Sequence, residues 1–228
     1  MNHQPRKLVI LNIVTLILLV AATLVVFLYA PMEAMMGNVQ KVFYFHLAAA
    51  WVGMIGFSVA VIAGIAYLIT SQRKWDIAGL AAVEVSLVFF FIAIAAGSIW
   101  ARRTWGTWWT WDPRLTSAAI VELAYAAYLM LRQGIEDPDR RARFGAVYAI
   151  IAFISVPITF FSIRILRTIH PDLNQSGSGG MGLTPKMLHT LLFSLFVFSF
   201  VFVDLYWHRL RLGQLTEKIE QLRLKVLE

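Results

Sequence analysis

Apolar residues run along this chain in six long blocks that are separated by short polar segments. A helix that crosses a bilayer needs about 20 predominantly apolar residues, and each block approaches or exceeds that length. The blocks lie at 8–29, 42–69, 77–100, 115–131, 144–165 and 185–207. The pattern predicts an all-α integral membrane protein with six transmembrane helices.

Prolines mark where several of these helices begin or bend. Asp112 precedes Pro113, and Thr184 precedes Pro185. A short polar residue followed by proline is typical of a helix N-cap and its first helical position. Pro157 lies inside the fifth block, where its missing N–H and its bulky ring predict a kink.

The two ends of the chain are predicted to differ. The first block follows Arg6 and Lys7 as a signal peptide would, but it exceeds the typical core of about 7–15 residues and no small-residue cleavage motif follows. We therefore expect a retained transmembrane helix. After a six-helix membrane domain at 1–208, residues 209–228 carry apolar residues at spacings of three and four, which predicts a cytoplasmic amphipathic helix. So short a helix is not stable alone, so we expect it to pack on a partner or on the inner membrane face.

Composition supports a membrane location. Of the 228 residues, 59% are hydrophobic and 14% are charged, whereas a soluble domain is about one quarter charged. The formal net charge of +7 would favour binding to nucleic acid, but the basic residues flank the apolar blocks instead of forming one stripe. We therefore expect membrane lipid around the chain and no nucleic-acid partner.

Lysine and arginine are distributed unequally between the two sides of the predicted bundle. The two tails and the second and fourth connections hold 13 of them, whereas the first, third and fifth connections hold 7. Because cytoplasmic loops carry the excess of basic residues, both termini are predicted to be cytoplasmic. The start of the second helix, the loop 100–114 and the loop 165–184 then share the outer face.

Five of the eight tryptophans fall within residues 100–112, in the string WARRTWGTWWTWD. Membrane proteins place single tryptophans at the interface, because the indole is apolar with one N–H to satisfy. Five in one short, charged, glycine-containing loop is a different pattern. It predicts a rigid aromatic platform for a large flat ligand.

Two histidines are predicted to lie on the same outer face as this platform. His46 begins the second helix and His170 lies in the last outer loop. Neutral imidazole is an axial ligand of haem iron, so the pair could hold a haem from both faces. Taken singly, each histidine also fits a structural or solvated group, and His189 is an alternative second ligand that spacing alone permits.

The outer loops are also richer in arginine than is usual for that side. Haem propionates need cations once they leave bulk water, and five arginines are available at 102, 103, 114, 164 and 167. The chain has no cysteine, which excludes disulfides, thiolate metal sites and thioether attachment of haem. Any haem is therefore expected to be bound non-covalently.

Two carboxylates lie inside predicted spans, Glu84 in the third and Glu122 in the fourth. Acidic residues within a bilayer are costly and suggest a function such as a proton path. They also fit protonated helix contacts or contacts to another subunit, and we favour this structural interpretation.

The string at 105–116, WGTWWTWDPRLT, resembles the tryptophan-rich WWD signature of the haem-handling proteins of cytochrome c assembly. Two further segments agree with it. Residues 42–46, VFYFH, are similar to the first histidine motif of that family, and 156–170 are similar to its fifth helix and second histidine motif. The resemblance spans about residues 30–208, and a six-span chain is similar to the short members that act in system I cytochrome c maturation.

The resemblance implies a non-catalytic subunit of the bacterial inner membrane that binds haem b transiently. It implies that His46 and His170 are the axial ligands and that the tryptophan-rich loop shapes the site. The further predicted site residues come from this loop and the arginine that follows it, namely Trp105, Trp108, Trp109, Trp111, Asp112 and Arg114. The implied partners are a periplasmic haem chaperone and an ABC-type complex. That complex would contain an ATPase subunit, a second membrane subunit and a small single-span subunit.

The chain departs from the family pattern at two places, and two other functions compete with haem delivery. Arg102-Arg103 stand where the family often has Lys-Pro, and Ile165-Leu166 replace a pair of tryptophans. A cytochrome b-like electron-transfer subunit would use histidine pairs deep in the helices, which are absent from this sequence. An ion transporter based on Glu84 and Glu122 would leave the tryptophan cluster unexplained.

Overall fold

The computed structural model describes residues 5–34, 36–170 and 183–227, and these residues are almost entirely helical. α1 is continued by a π-helical turn at Val25–Tyr29. The α-helices are α1 (Arg6–Leu24), α2 (Gln40–Thr70), α3 (Arg73–Trp105), α4 (Pro113–Gln133), α5 (Pro138–Phe153), α6 (Ser155–Ile165) and α7 (Pro185–Leu227).

Among the described residues, six helical segments are long and apolar enough to cross a membrane, with α5 and α6 together forming one of them. The prediction of six long apolar helices is therefore confirmed. α3 is longer than predicted and runs to Trp105, so the first half of the predicted loop 100–114 is helical and the irregular part narrows to 106–112. Gly106 ends α3 with a φ of +74°, a left-handed conformation that glycine adopts without a steric penalty.

The predicted N-caps form. The Asp112 carboxylate accepts a hydrogen bond from the Leu115 N–H at 3.1 Å, and the Thr184 hydroxyl accepts one from the Met187 N–H at 3.4 Å. Asp137, which precedes a proline in the same way, caps α5. These side chains satisfy N–H groups that a helix start leaves without partners.

Near Pro157 the helix is interrupted, as predicted, but the break lies three residues earlier, at Ile154 between α5 and α6. A proline ring clashes with the carbonyl four residues earlier and offers that carbonyl no N–H. For Pro157 this carbonyl belongs to Phe153, the last residue of α5. The break aims α6 towards α4, its most extensive packing partner.

α2 and α3 share the most extensive helix–helix contact in the described part of the chain, and small residues at their interface let the backbones come close. A Cβ added at Gly53 would lie 3.3 Å from Phe90, and one at Gly56 would overlap the Ser86 hydroxyl. Close backbone approach through glycine and alanine is a common way for membrane helices to pack, because lipid supplies no hydrophobic drive for association. Aromatic rings fill the remaining space, as where Phe57 stacks on Tyr125 with ring centroids 3.8 Å apart.

α7 extends far beyond a single membrane crossing. At 1.5 Å per residue its 43 residues measure about 64 Å, whereas the hydrocarbon core is about 30 Å thick. The predicted C-terminal tail is thus continuous with the sixth span. Its first part packs on α3, where Gly213 faces Ile77 and Arg73 pairs with Glu217 at 3.1 Å. The apolar residues further along remain exposed, namely Ile219, Leu222, Leu224 and Val226.

A buried ion pair joins α3 to α4 at the end of the bundle opposite the loop 106–112. The Arg132 guanidinium donates to both carboxylate oxygens of Asp76, at 2.5 and 3.0 Å. The two side chains are only 6% and 3% exposed, and Arg73 reaches the same carboxylate at 2.9 Å. Gly145 of α5 makes room, since a Cβ there would lie 2.5 Å from Arg132 Nη1.

Replacing Arg132 with alanine is expected to destabilise the fold by about 3–5 kcal/mol, because it leaves Asp76 buried without its main partner. The control is Arg223→Ala, which removes an exposed arginine 3.9 Å from Glu220 and should cost no more than about 1 kcal/mol. Denaturant titration in detergent micelles measures both. Equal losses for the two variants would show that the buried pair does not hold the helices together.

Candidate functional site

A cavity of about 320 Å³ opens among α2, α3, α4, α6 and α7, at the end of the bundle that carries the loop 106–112. Its walls are mostly aliphatic and aromatic, and its polar groups are few. Both predicted histidine ligands contribute to the lining. The predicted site residues that line it are His46, His170, Trp105, Trp109 and Arg114.

His46 enters the cavity from the second turn of α2 and is fixed by α3. Its Nδ1 lies 2.7 Å from the carbonyl oxygen of Ala93. A carbonyl oxygen only accepts hydrogen bonds, so Nδ1 carries the proton and a neutral imidazole keeps its lone pair on Nε2. Metal-binding histidines use this arrangement, because the hydrogen bond orients the ring and sets the tautomer.

Gly97 gives the His46 ring its place against α3. A Cβ at this position would lie 2.9 Å from Cε1 and 3.0 Å from Nδ1 of the imidazole. Gly97 is one turn beyond Ala93, so the same stretch of α3 supplies both the carbonyl that binds the ring and the gap that receives it. Any side chain at 97 would displace the imidazole or the helix.

His170 is held by a short chain of hydrogen bonds that starts at α4. The Thr168 hydroxyl donates to the Asp112 carboxylate and accepts from the His170 N–H at 3.1 Å. Asp112 also caps α4 through Leu115. One carboxylate therefore connects the tryptophan-rich loop, the start of α4 and the segment that carries His170. It is not among the residues that line the cavity, although it was predicted as a site residue.

The tryptophans of the cluster divide into two groups. Trp105 lies edge-on to the His170 ring with centroids 6.3 Å apart, and Trp100 packs against Trp105 at 6.1 Å. Both line the cavity with Trp109. Trp108 and Trp111 are 57% and 76% exposed and are not among its lining residues.

Arg114 is the one predicted outer arginine that lines the cavity among the described residues. Its Nη1 donates to the carbonyl oxygens of Thr159 and Phe160 in α6, at 2.6 and 3.0 Å. These bonds fix the guanidinium at the wall and leave its other N–H groups for a further acceptor. The remaining predicted cations have exposed side chains, at Arg102, Arg103, Arg164 and Arg167.

The sequence matches a known family over nearly its whole length. A family model described as heme exporter protein C covers residues 1–225. The chain belongs to the heme exporter protein C family.

Relatives of the same name agree with this assignment. Heme exporter protein C of Bradyrhizobium diazoefficiens is 33% identical over 195 residues, which are 86% of this chain and 74% of the relative. The Escherichia coli K12 protein is 32% identical over 186 residues, 80% of this chain and 74% of its own. The Rhodobacter capsulatus protein is 30% identical over 203 residues, 89% and 82% of the two chains.

The other titratable candidates of this family member lie away from the cavity lining. His189 on α7 has its Nδ1 3.3 Å from the Tyr29 hydroxyl. Glu84 pairs with Arg209, and one carboxylate oxygen of Glu122 is buried without a hydrogen-bond partner. The glycine-rich segment 175–182 lies outside the described residues.

Most residues that line the cavity were not predicted from the sequence, and three of them shape it. Gly97 gave no signal, because its role depends on a contact with a different helix. Trp51 and Met54 were also missed, although Met54 follows His46 by eight residues, about two helical turns, and so lies on the same side of α2. Trp51 is 45% exposed, so it forms an edge of the cavity as well as part of its wall.

Gly97→Ala is expected to push the His46 imidazole off the Ala93 carbonyl. The matched control on the same helix is Gly79→Ala, where the nearest atom to the new Cβ is 3.6 Å away. Both changes gain helix propensity, so Gly97→Ala should be less stable than the control by about 1 kcal/mol, the usual cost of weakening a hydrogen bond. Nitrogen-15 NMR of labelled histidine measures the His46 Nδ1 directly. An unchanged His46 signal in Gly97→Ala would contradict the assigned contact.

Proposed function

We propose that this chain is a membrane subunit of cytochrome c maturation that binds haem b non-covalently and transiently in the outer cavity. His46 and His170 are the axial ligands of this cargo. The observation that carries the proposal is that both histidines, which are 124 positions apart in sequence, line the same cavity. The family supports haem as the ligand, since its relatives are named as heme exporters.

The residues of the cavity suit haem on chemical grounds. Haem presents an iron that accepts imidazole nitrogen, a broad apolar ring and two anionic propionates. The cavity offers Nε2 of His46, a second imidazole, indole and aliphatic walls, and the guanidinium of Arg114. Its volume of about 320 Å³ lies at the lower end of the roughly 300–1,000 Å³ typical of ligand sites, so part of the cargo stays accessible from outside.

Two axial histidines suit a carrier better than an oxygen-activating enzyme, because no iron position remains open. The two ligands differ in how they are held. His46 is part of α2 and bonded to α3, whereas His170 follows the end of α6 and is connected to the core through Thr168 and Asp112. We infer that release begins at His170, since moving a loop segment disturbs less packing than moving a helix.

The chain is oriented with both termini in the cytoplasm and the cavity at the periplasmic side of the bacterial inner membrane, as the distribution of lysine and arginine favours. In this arrangement residues 1–208 form the membrane domain and 209–228 its cytoplasmic tail. Trp108 and Trp111 project beside the cavity and form the surface that a periplasmic haem chaperone contacts. The ATPase and the other membrane subunits of an ABC-type complex would supply the energy, and this chain itself catalyses no reaction.

Replacing either His46 or His170 with alanine is expected to abolish the low-spin absorption spectrum of haem bound by two imidazoles. His189→Ala is the matched control and should keep that spectrum, because His189 bonds to Tyr29 instead of lining the cavity. Absorption spectra of the purified, haem-loaded variants measure the effect.

Added imidazole distinguishes loss of a ligand from loss of the fold in these variants. It should restore the low-spin spectrum of His46→Ala and His170→Ala if the cavity is intact and only an iron ligand is missing. Unchanged spectra in both variants without imidazole would overturn the assignment, as would loss of the spectrum in His189→Ala alone.

A further inference from the structure

A groove lies between α3 and α7, at the end of the bundle away from the proposed haem cavity. Its volume is about 670 Å³. Apolar side chains form most of its wall, with a few charged groups at one end. Several of these apolar residues are exposed at the surface that lipid covers, including Val88 at 58% and Leu205 at 45%.

The charges of this groove do not balance. Glu84 is neutralised by Arg209, whose Nη2 lies 2.9 Å from the Glu84 carboxylate. Arg211 also lines the groove and makes no ion pair or hydrogen bond with any residue that the structure describes. Arg211 is therefore the charge in the lining of the groove that has no counter-ion among the described residues.

The groove crosses the boundary between hydrocarbon and headgroups. Counted from Pro185 at 1.5 Å per residue, Leu205 lies about 30 Å and Arg211 about 39 Å along α7. The hydrocarbon core is about 30 Å thick. The wall formed by Val88, Phe89 and Leu205 therefore lies at acyl-chain depth, while Arg211 lies at the depth of phosphate groups.

We propose that this groove binds one anionic phospholipid, with an acyl chain along the apolar wall and the headgroup phosphate on Arg211. Basic pockets between transmembrane helices recognise anionic headgroups in this way. The lipid would also cover the partly exposed Glu84–Arg209 pair, which is costly beside bare hydrocarbon. The proposal uses the membrane position of α7 and does not depend on haem.

Native mass spectrometry of the full chain, released from nanodiscs, tests the proposal. Discs of phosphatidylcholine with phosphatidylglycerol should yield chains that retain one phosphatidylglycerol. Arg211→Gln should weaken this retention about five-fold, the effect of one cation near the membrane surface. Arg223→Gln, which removes an exposed cation outside the groove, should retain the lipid as the unmodified chain does.

Four outcomes would overturn the proposal. One is equal retention of phosphatidylglycerol by Arg211→Gln and the unmodified chain, and another is retention of phosphatidylcholine to the same degree. The third is a second copy of the chain in place of the lipid. Competition by inorganic phosphate at millimolar concentration would assign an ion site instead of a lipid site. The haem spectrum of Arg211→Gln should stay unchanged, so failure here is distinguishable from failure of the proposed function.

Discussion

The hydrogen bond between His46 and the Ala93 carbonyl is the contact on which the cavity depends. It joins α2 to α3 at 2.7 Å, and it forms only because Gly97 leaves space for the imidazole. It also settles the protonation of the ring, since a carbonyl can only accept, and it thereby leaves Nε2 with the lone pair that a metal requires. The close packing of α2 on α3 through Gly53 and Gly56 keeps this geometry rigid.

The opposite wall of the cavity is built differently. Asp112 caps α4 and accepts from Thr168, so the loop that carries His170 is ordered by a carboxylate and a hydroxyl instead of by helix packing. Arg114, two residues later, reaches across to α6 and fixes the helix from which that loop emerges. A site with one proposed iron-binding histidine on a rigid helix and the other on a loop suits a protein that must both hold a cargo and give it up.

Much of this architecture could be predicted from the sequence, because lipid imposes strong constraints on composition. The six spans, the caps at Asp112 and Thr184 and the distortion near Pro157 all follow from local chemistry. The sequence did not show which loop side chains point into the cavity. Trp109 lines the cavity and Trp108 beside it does not, since the turn at Gly106 and the path of 106–112 decide which indole points inward. Contacts between distant helices, such as the one at Gly97, leave no periodic signal in one sequence.

The central proposal is that a single haem is held between His46 and His170. A cryo-electron microscopy map of the full chain loaded with haem tests this most directly, with an antibody fragment bound to increase the mass of the particle. We predict the iron bonded to Nε2 of His46 and to an imidazole nitrogen of His170, with Trp105 and Trp109 against the ring and a propionate near Arg114. Haem outside this cavity, or coordinated by His189, would contradict the account.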